Sequence, residues 1–145
     1  MNYATLIWHR LNRMNKAYTQ STEKKLEEYG LSEAIADILG RIHDQPGITQ
    51  TELCEKLLVT KGNIAQLVKK MEGCDLIYRK REGRTKELFL TDKGEQTHAE
   101  VRAFLQCRVD EFFNVLDQDE QRKLLSLLNK VDRARRDEYE RNNVV

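Results

Sequence analysis

The chain has 145 residues, which is enough for one domain or for two lobes that share a core. Hydrophobic residues make up 39% of it and charged residues 34%, while seven glycines and one proline leave few turn formers. This composition excludes a disordered polymer and a sandwich of many short strands, and it favours a mainly α-helical globular protein. No apolar stretch approaches the roughly 18 residues of a membrane helix and no signal-peptide core is present, so we expect a cytoplasmic protein without a membrane partner.

The spacing of cysteine and histidine gives no sign of a cofactor. The three cysteines, Cys54, Cys74 and Cys107, match neither a disulfide framework nor a paired-ligand zinc site, and the three histidines are far apart. The sequence also lacks a phosphate-binding glycine loop and an activated nucleophile with local support. We therefore expect no metal, no cofactor and no enzyme activity.

The charges are distributed unevenly along the chain. The net charge is only +1, but eight basic and four acidic residues lie between Leu58 and Leu90, which gives this segment a charge of +4. The remainder of the chain carries −3. A basic middle between mildly acidic flanks is compatible with a nucleic-acid partner, but taken alone it is a weak signal, since basic runs are usually ordinary solvated faces.

The first predicted element is a long helix. Residues 2–28 contain neither glycine nor proline. Apolar residues recur there at helical spacing, at Ile7, Leu11, Met14 and Tyr18. The pattern predicts one helix of about 40 Å that ends near Gly30. Because so long a helix overhangs a small core, we expect it to pack against a second copy of the chain.

Three shorter helices are predicted next. Residues 31–42 have helical periodicity, which the sequence Asp44-Gln45-Pro46-Gly47 terminates. Thr49 and Glu52 form a capping box that opens a short helix, and Thr60 is a candidate N-cap for the helix that follows. Two short helices joined by a tight turn indicate a helix-turn-helix.

A hairpin and two further helices complete the chain. Short strands at 76–81 and 86–90 flank a turn with a glycine at its tip. Thr91 caps the following helix, whose apolar face is expected to extend to Leu116. A last helix begins at a capping box formed by Asp117 and Glu120, and the charged tail after Asp132 is expected to fray.

A helix-turn-helix followed directly by a basic hairpin predicts a winged helix. Its fourth helix buries an apolar stripe, so the opposite face presents the residues expected to contact DNA, together with Thr60 at its start: Lys61, Gly62, Asn63, Gln66, Lys69 and Lys70. Asn and Gln can pair with adenine in the major groove, and Lys can contact guanine or phosphate. Gly62 would let the helix start approach a phosphate closely. An ordinary solvated face is the alternative.

The hairpin supplies a second set of candidate DNA contacts. Arg84 lies beside Gly83 at a narrow tip, and an arginine there can enter an A·T-rich minor groove. Other basic residues of the hairpin would follow the DNA backbone without reading sequence: Arg79, Lys80, Arg81 and Lys86. A basic hairpin that is merely soluble is the alternative.

The sequence resembles the MarR family of bacterial winged-helix regulators over nearly the whole chain. The likeness is carried by three segments, Gly47-Ile48-Thr49-Gln50-Thr51-Glu52-Leu53, Leu58-Val59-Thr60-Lys61-Gly62-Asn63-Ile64 and Leu88-Phe89-Leu90-Thr91-Asp92-Lys93-Gly94. The wing of the family usually carries an aspartate, one further residue and an arginine. Here Glu82 and Arg84 occupy those places, so the charge pair is retained with a longer carboxylate.

The resemblance implies an obligate homodimer whose two winged helices read a palindromic operator in double-stranded DNA. It assigns residues 31–93 to a DNA-binding lobe, and residues 1–30 and 94–145 to a helical dimerisation lobe of the same domain. The two recognition helices must then lie about 34 Å apart, one turn of DNA. The function expected on this basis is that of a transcriptional repressor released by a small-molecule effector.

Three positions depart from the family pattern. Asp75 stands where a glycine usually precedes the first wing strand, so either Gly73 or Asp75 itself must supply the turn. Cys54 replaces a small residue and is expected to fill a place in the core. Gly62 replaces a Ser or Thr of the recognition helix, so the family's base-reading pattern cannot be transferred at that position.

The nature of the signal is left open by the sequence. Trp8, His9, Arg13 and Tyr18 on the first helix suit a pocket for a small aromatic acid, although residues at helical spacing are more often dimer core. A redox switch at Cys107 is the alternative, with a structural cysteine favoured over a sensor. A winged helix whose basic face docks an acidic protein is a further alternative to DNA binding.

Overall fold

The structure is a computed structural model that describes residues 2–57 and 61–143. Its elements in chain order are α1 (Tyr3–Glu28), α2 (Glu33–Asp44), β1 (Ile48–Thr49), α3 (Gln50–Leu57), α4 (Lys61–Gly73), β2 (Ile77–Glu82), β3 (Thr85–Leu90), α5 (Asp92–Phe113) and α6 (Gln118–Asn143). The predicted fold class, mainly α-helical with a small hairpin wing, is confirmed. None of the described helices combines the length and the apolar character needed to cross a membrane.

The long first helix ends where the sequence predicted. Gly30 adopts a φ of +69°, which turns the chain out of the helix. Its N–H donates to Glu27 O at 2.9 Å, and the N–H of Leu31 donates to Leu26 O at 3.0 Å. These two bonds form a Schellman motif, and the buried side chains of Leu26 and Leu31 supply its usual apolar contact.

Capping interactions begin the next helices. Ser32 Oγ accepts from the N–H of Ile35 at 3.2 Å at the start of α2. The predicted capping box of α3 is confirmed, because Thr49 Oγ1 accepts from the N–H of Glu52 and Glu52 Oε2 accepts from the N–H of Thr49, both at 3.2 Å. Thr60, the predicted N-cap of α4, lies outside the described residues.

The sheet has three antiparallel strands in the order β1-β3-β2. The sequence did not predict β1, a two-residue strand that pairs Ile48 with Leu88. The hairpin strands are each one residue longer at the tip than predicted, because Glu82 pairs with Thr85. The two-residue turn has Gly83 at a φ of +60°, and only its first central residue has a positive φ, which is the pattern of a type II′ turn.

The connection from α4 to β2 is fastened to the start of α5. Asp75 has a φ of +58° and therefore supplies the turn itself. The Leu76 carbonyl accepts from the N–H of Thr91 at 3.1 Å. The hydroxyl of Thr91 in turn accepts from the N–H of Gly94 at 3.0 Å, which confirms Thr91 as the cap of α5.

Two compact units make up the chain, residues 1–106 and residues 107–145. The first unit contains the apolar core, which is built around α2 and covered by α3, α4 and the sheet. Its most completely buried side chains are Ile38, Leu39, Ile42, Ile48, Leu53, Ile64, Val68, Met71 and Leu88. Cys54 is partly buried against this core, as expected.

The second unit contains the end of α5 and all of α6. The predicted capping box is confirmed, because Asp117 and Glu120 exchange two hydrogen bonds of 2.9 Å. Two other predictions were wrong. Leu116 does not belong to the apolar face of α5, since that helix ends at Phe113, and the tail after Asp132 is helical as far as Asn143.

The tail remains helical to the end of α6 because charged residues pair along it. Arg135 Nη1 lies 2.8 Å from Glu138 Oε2, and Arg136 pairs with Asp132 one turn earlier. Oppositely charged residues three or four positions apart each add a few tenths of a kcal/mol, about 0.2–0.5, to an exposed helix. A segment rich in charged residues can therefore continue as a helix.

Candidate nucleic-acid interface

The fourth helix is divided into two faces as the sequence predicted. Ile64, Val68 and Met71 are buried in the core. The polar residues on the other side are exposed: Gly62, Asn63, Gln66, Lys69 and Lys70. Nothing is described of the Lys61 side chain, and Thr60 lies outside the described residues. The exposed face presents two lysines, an asparagine and a glutamine, which are donors and acceptors suited to base edges and phosphates.

Gly62 leaves an open surface at the start of this helix. A Cβ added there would meet no heavy atom within 4 Å. Against the described residues, the missing side chain therefore serves no packing purpose, although glycine costs a helix about 1 kcal/mol relative to alanine. Within the described part of the chain, no side chain at this position blocks the first turn of α4, where the helix dipole favours an anion.

The wing carries exposed cations along the hairpin and at its tip. Arg84 is exposed in the type II′ turn. Arg81 and Lys86 are register partners, so two exposed cations stand directly opposite each other on one face of the sheet. Like charges in that arrangement destabilise a hairpin, and a bound anion would relieve the repulsion. Lys80 lies on the other face, opposite Glu87.

Arg79 differs from the other basic residues of the wing. Its Nε lies 2.6 Å from Glu72 Oε1, and its Nη1 donates to Gln50 Oε1 at 3.0 Å. Only 25% of the Arg79 side chain is exposed. The predicted contact of Arg79 with the DNA backbone would compete with these two partners. The sequence offered no local signal for Glu72 and Gln50, because the three residues meet only in the tertiary structure.

The predicted effector residues do not form one cluster on α1. His9 and Arg13 are one turn apart and lie on a common face, with Trp8 beside it and all three exposed. Tyr18 lies on the opposite side from His9, since nine residues at 100° each make two and a half turns. Burial raises the pKa of the Tyr18 phenol, and the carboxylate of Glu33 adds to the effect.

The structure brings together two histidines that are far apart in sequence. The rings of His43 and His98 are 4.4 Å apart between centroids, and His43 Nδ1 lies 2.9 Å from Glu95 Oε2. The Nε2 atom of His98 is buried, and none of the described residues forms a hydrogen bond with it. Burial lowers the pKa of His98, and the charge of His43 lowers it further. In the described parts of the chain, no group of three or more His, Cys, Asp or Glu side chains could hold a metal ion.

The surroundings of Cys107 do not favour a redox sensor. Cys54 is partly buried, whereas Cys74 and Cys107 are exposed, and all three are free thiols. The Sγ atom of Cys107 lies 3.9 Å from the carboxylate of Glu111, whereas a sensor thiol is activated by a cationic neighbour.

The chain is similar to known proteins over most of its length. A family model described as "MarR family" matches residues 29–86. An HTH-type transcriptional regulator of Bacillus cereus (strain ATCC 10987 / NRS 248) is 34% identical over 128 residues, which cover 88% of this chain and 87% of the relative.

Solved structures share the fold. The MarR protein from Peptoclostridium difficile aligns with a TM-score of 0.81 at 21% identity and covers 94% of this chain and 92% of its own. The Staphylococcus aureus MepR–DNA complex aligns with a TM-score of 0.74 at 23% identity, covering 92% and 98%. These likenesses establish the winged-helix fold. The chain belongs to the MarR family of transcriptional regulators, as its motifs indicated, because the family model matches it and the Bacillus cereus regulator is 34% identical to it over most of both chains.

Proposed function

We propose that this protein is a homodimer that binds a palindromic site in double-stranded DNA through α4 and the wing of each subunit. The observation that carries the proposal is the exposed polar face of α4 in the same unit as an exposed basic hairpin. The similar fold of MepR in complex with DNA supports it. The chain's winged-helix lobe, residues 31–93, is the DNA-binding part in this proposal.

The α4 helix is the major-groove reader. Asn63 and Gln66 stand one turn apart on its exposed face, within reach of adjacent base pairs in a groove about 12 Å wide. Lys69 and Lys70 follow one turn later and are placed for phosphates. Base contacts from the amides give sequence preference, whereas the lysines give affinity that does not depend on sequence.

The wing contacts the flanking DNA. Arg84 at the tip is placed to enter the minor groove, where A·T-rich sequence deepens the negative potential. Arg81 and Lys86 carry charge along the hairpin toward the backbone. Each phosphate neutralised in this way releases counterions, so the affinity must fall as salt is raised.

Exposed apolar stripes support a homodimer built from residues 1–30 and 94–145. On α1, Tyr3, Ile7 and Met14 share one face, and the first of them is 83% exposed. On α6, the side chains of Leu127 and Val131 are 64% and 63% exposed on one stripe. Apolar stripes at helical period that face water in a single chain are typical of helices that pack against a partner, and a second copy is the partner proposed here.

The regulatory part of the proposal is repression relieved by a small aromatic acid. Trp8 offers an aromatic wall with His9 beside it, and Arg13 offers a cation for a carboxylate. Because Tyr18 lies on the other side of α1, it can complete such a pocket only with groups from elsewhere in the assembly. An effector that changed the separation of the two α4 helices would need only about 1–3 kcal/mol of coupling to release DNA.

The test begins with selection of duplexes from random DNA by the purified protein, followed by titration of the selected duplex at several salt concentrations. We expect a palindrome and a linear fall of log K with log salt, with a slope of about −0.9 for each phosphate contacted. An affinity that is insensitive to salt, or copurification of a stoichiometric acidic protein in place of nucleic acid, would contradict DNA binding and favour a protein-docking winged helix.

A further inference from the structure

We propose that Arg79 is a positioning residue that fixes α4 against the wing and thereby controls sequence discrimination, and that it is not a phosphate contact. The inference rests on the proposed function, since it concerns how the DNA-reading helix is held. It differs from the sequence prediction, in which Arg79 follows the DNA backbone together with Arg81 and Lys86.

One guanidinium joins three elements of the winged helix. Glu72 is in the last turn of α4, Arg79 is in β2, and Gln50 is the first residue of α3. The guanidinium meets the carboxylate of Glu72 at 2.6 Å and the amide oxygen of Gln50 at 3.0 Å. Its donors form a rigid planar fork that can hold two acceptors in fixed directions, which a lysine ammonium on a flexible stem does not do.

The pairing is partly shielded from water. The side chains of Arg79 and Glu72 are 25% and 34% exposed. A partly buried ion pair is screened less by salt than an exposed one, so the link should persist under the salt conditions in which DNA is released. Arg79 has further N–H donors, but a phosphate bound to them would lie beside the carboxylate of Glu72, whose negative charge would repel the DNA backbone.

The contact between Arg79 and Glu72 holds only the C-terminal end of α4. Glu72 lies ten residues beyond Gly62, so the anchored end of α4 is about 15 Å from its first turn. A tilt of about 5° at the anchor would displace the first turn by about 1.3 Å, whereas N–H···O bonds are confined to about 2.7–3.2 Å. A small loss of alignment at Arg79 would therefore disturb base contacts more than phosphate contacts, which tolerate a flexible lysine.

Arg81 provides a matched control on the same strand. It lies two residues beyond Arg79 and therefore on the same face of the sheet, but it is exposed. The comparison uses Arg79→Met and Arg81→Met, with affinity measured by fluorescence anisotropy for the selected duplex and for a scrambled duplex at several salt concentrations. Thermal unfolding by circular dichroism sets a working temperature at which every variant is folded.

For Arg79→Met we expect the ratio of specific to non-specific affinity to fall about tenfold or more while the salt slope stays unchanged. For Arg81→Met we expect the opposite, with the slope reduced by about 0.9 and the ratio preserved. Arg79→Lys should lower the ratio of specific to non-specific affinity as much as Arg79→Met does, because lysine keeps the charge but lacks the planar guanidinium that holds two acceptors. Glu72→Ala combined with Arg79→Met should lower the specificity ratio no further than Arg79→Met alone, since the contact with Glu72 is already absent in that variant.

Three results would overturn the inference. A reduced salt slope in Arg79→Met with an unchanged ratio would make Arg79 a phosphate contact. A lower unfolding temperature with the affinity ratio and the salt slope both unchanged would make Arg79 a purely structural residue. A wild-type affinity ratio in Arg79→Lys would show that the guanidinium geometry is not needed. Failure of the proposed function is distinguishable, because the wild-type protein would then show no preference for any duplex, and the inference would fall with it.

Discussion

Gly94 is the position where the addition of a single methyl group should disturb the fold most. It is buried in the first turn of α5, and a Cβ there would lie 2.0 Å from the Leu76 carbonyl oxygen and 3.4 Å from the Cβ of Leu90. The Leu76 oxygen is backbone, and it already accepts a hydrogen bond from Thr91. The clash in Gly94→Ala can therefore be relieved only if α5 moves away from the α4–β2 connection.

The expected loss follows from two opposing terms. Overpacking of this kind costs about 1–3 kcal/mol, occasionally more, and the upper end applies because the obstructing atom is backbone. Alanine returns about 1 kcal/mol through its better helix propensity. We therefore expect Gly94→Ala to destabilise the protein by about 2 kcal/mol, which lowers Tm by about 4–8 °C for a chain of this size.

The assay is thermal unfolding followed by circular dichroism, at one fixed protein concentration because the Tm of a homodimer, the state proposed above, depends on that concentration. Gly62→Ala is the matched control, since its Cβ would meet nothing within 4 Å and the substitution should stabilise α4 by up to about 1 kcal/mol. The reasoning is refuted if Gly94→Ala unfolds at or above the wild-type temperature, or if the two variants shift Tm in the same direction.

Three further predictions concern DNA binding and pH. The same Gly62→Ala protein, although more stable, should bind the selected duplex more weakly in an anisotropy titration. An unchanged affinity would contradict the idea that the start of α4 lies close to a phosphate. Arg84→Ala should weaken binding by about 1–3 kcal/mol in the same assay, whereas Lys24→Ala on the exposed surface of α1 should not. Because burial and then His43 lower the pKa of His98 below its ordinary 6.5, the unfolded chain binds the proton more readily; stability is complete above pH 6.5 and is lost as the pH falls toward the folded-state value. Urea midpoints between pH 5 and 8 should show this loss in the wild type and a weaker one in His98→Asn, and a midpoint independent of pH in both would contradict it.

Local chemistry made much of the fold predictable from the sequence. The end of α1 at Gly30 and the capping boxes at Thr49 and Asp117 depend on residues only a few positions apart, so their signals are contained in short windows. The two faces of α4 follow in the same way from apolar spacing. The candidate DNA-contacting surface of α4 could be predicted because it is the exposed face opposite the buried apolar stripe.

What could not be predicted depends on distant parts of the chain. The strand β1 has two residues, too few to show a period, and exists only because β3 offers a partner to Ile48. The meeting of Arg79 with Glu72, and of His43 with His98, is created by packing between elements. The sequence therefore predicts a DNA contact for Arg79 as for every other cation of the wing. Nothing in the local sequence distinguishes Arg79 from Arg81.

The most direct test of the account is a hydroxyl-radical footprint of the protein on its selected duplex. A dimer that reads DNA with two α4 helices should protect two segments whose centres are about 10–10.5 base pairs apart, with a further minor-groove protection beyond each that disappears in Arg84→Ala. A single protected segment, or two whose spacing does not correspond to one turn of DNA, would contradict the paired winged-helix interface.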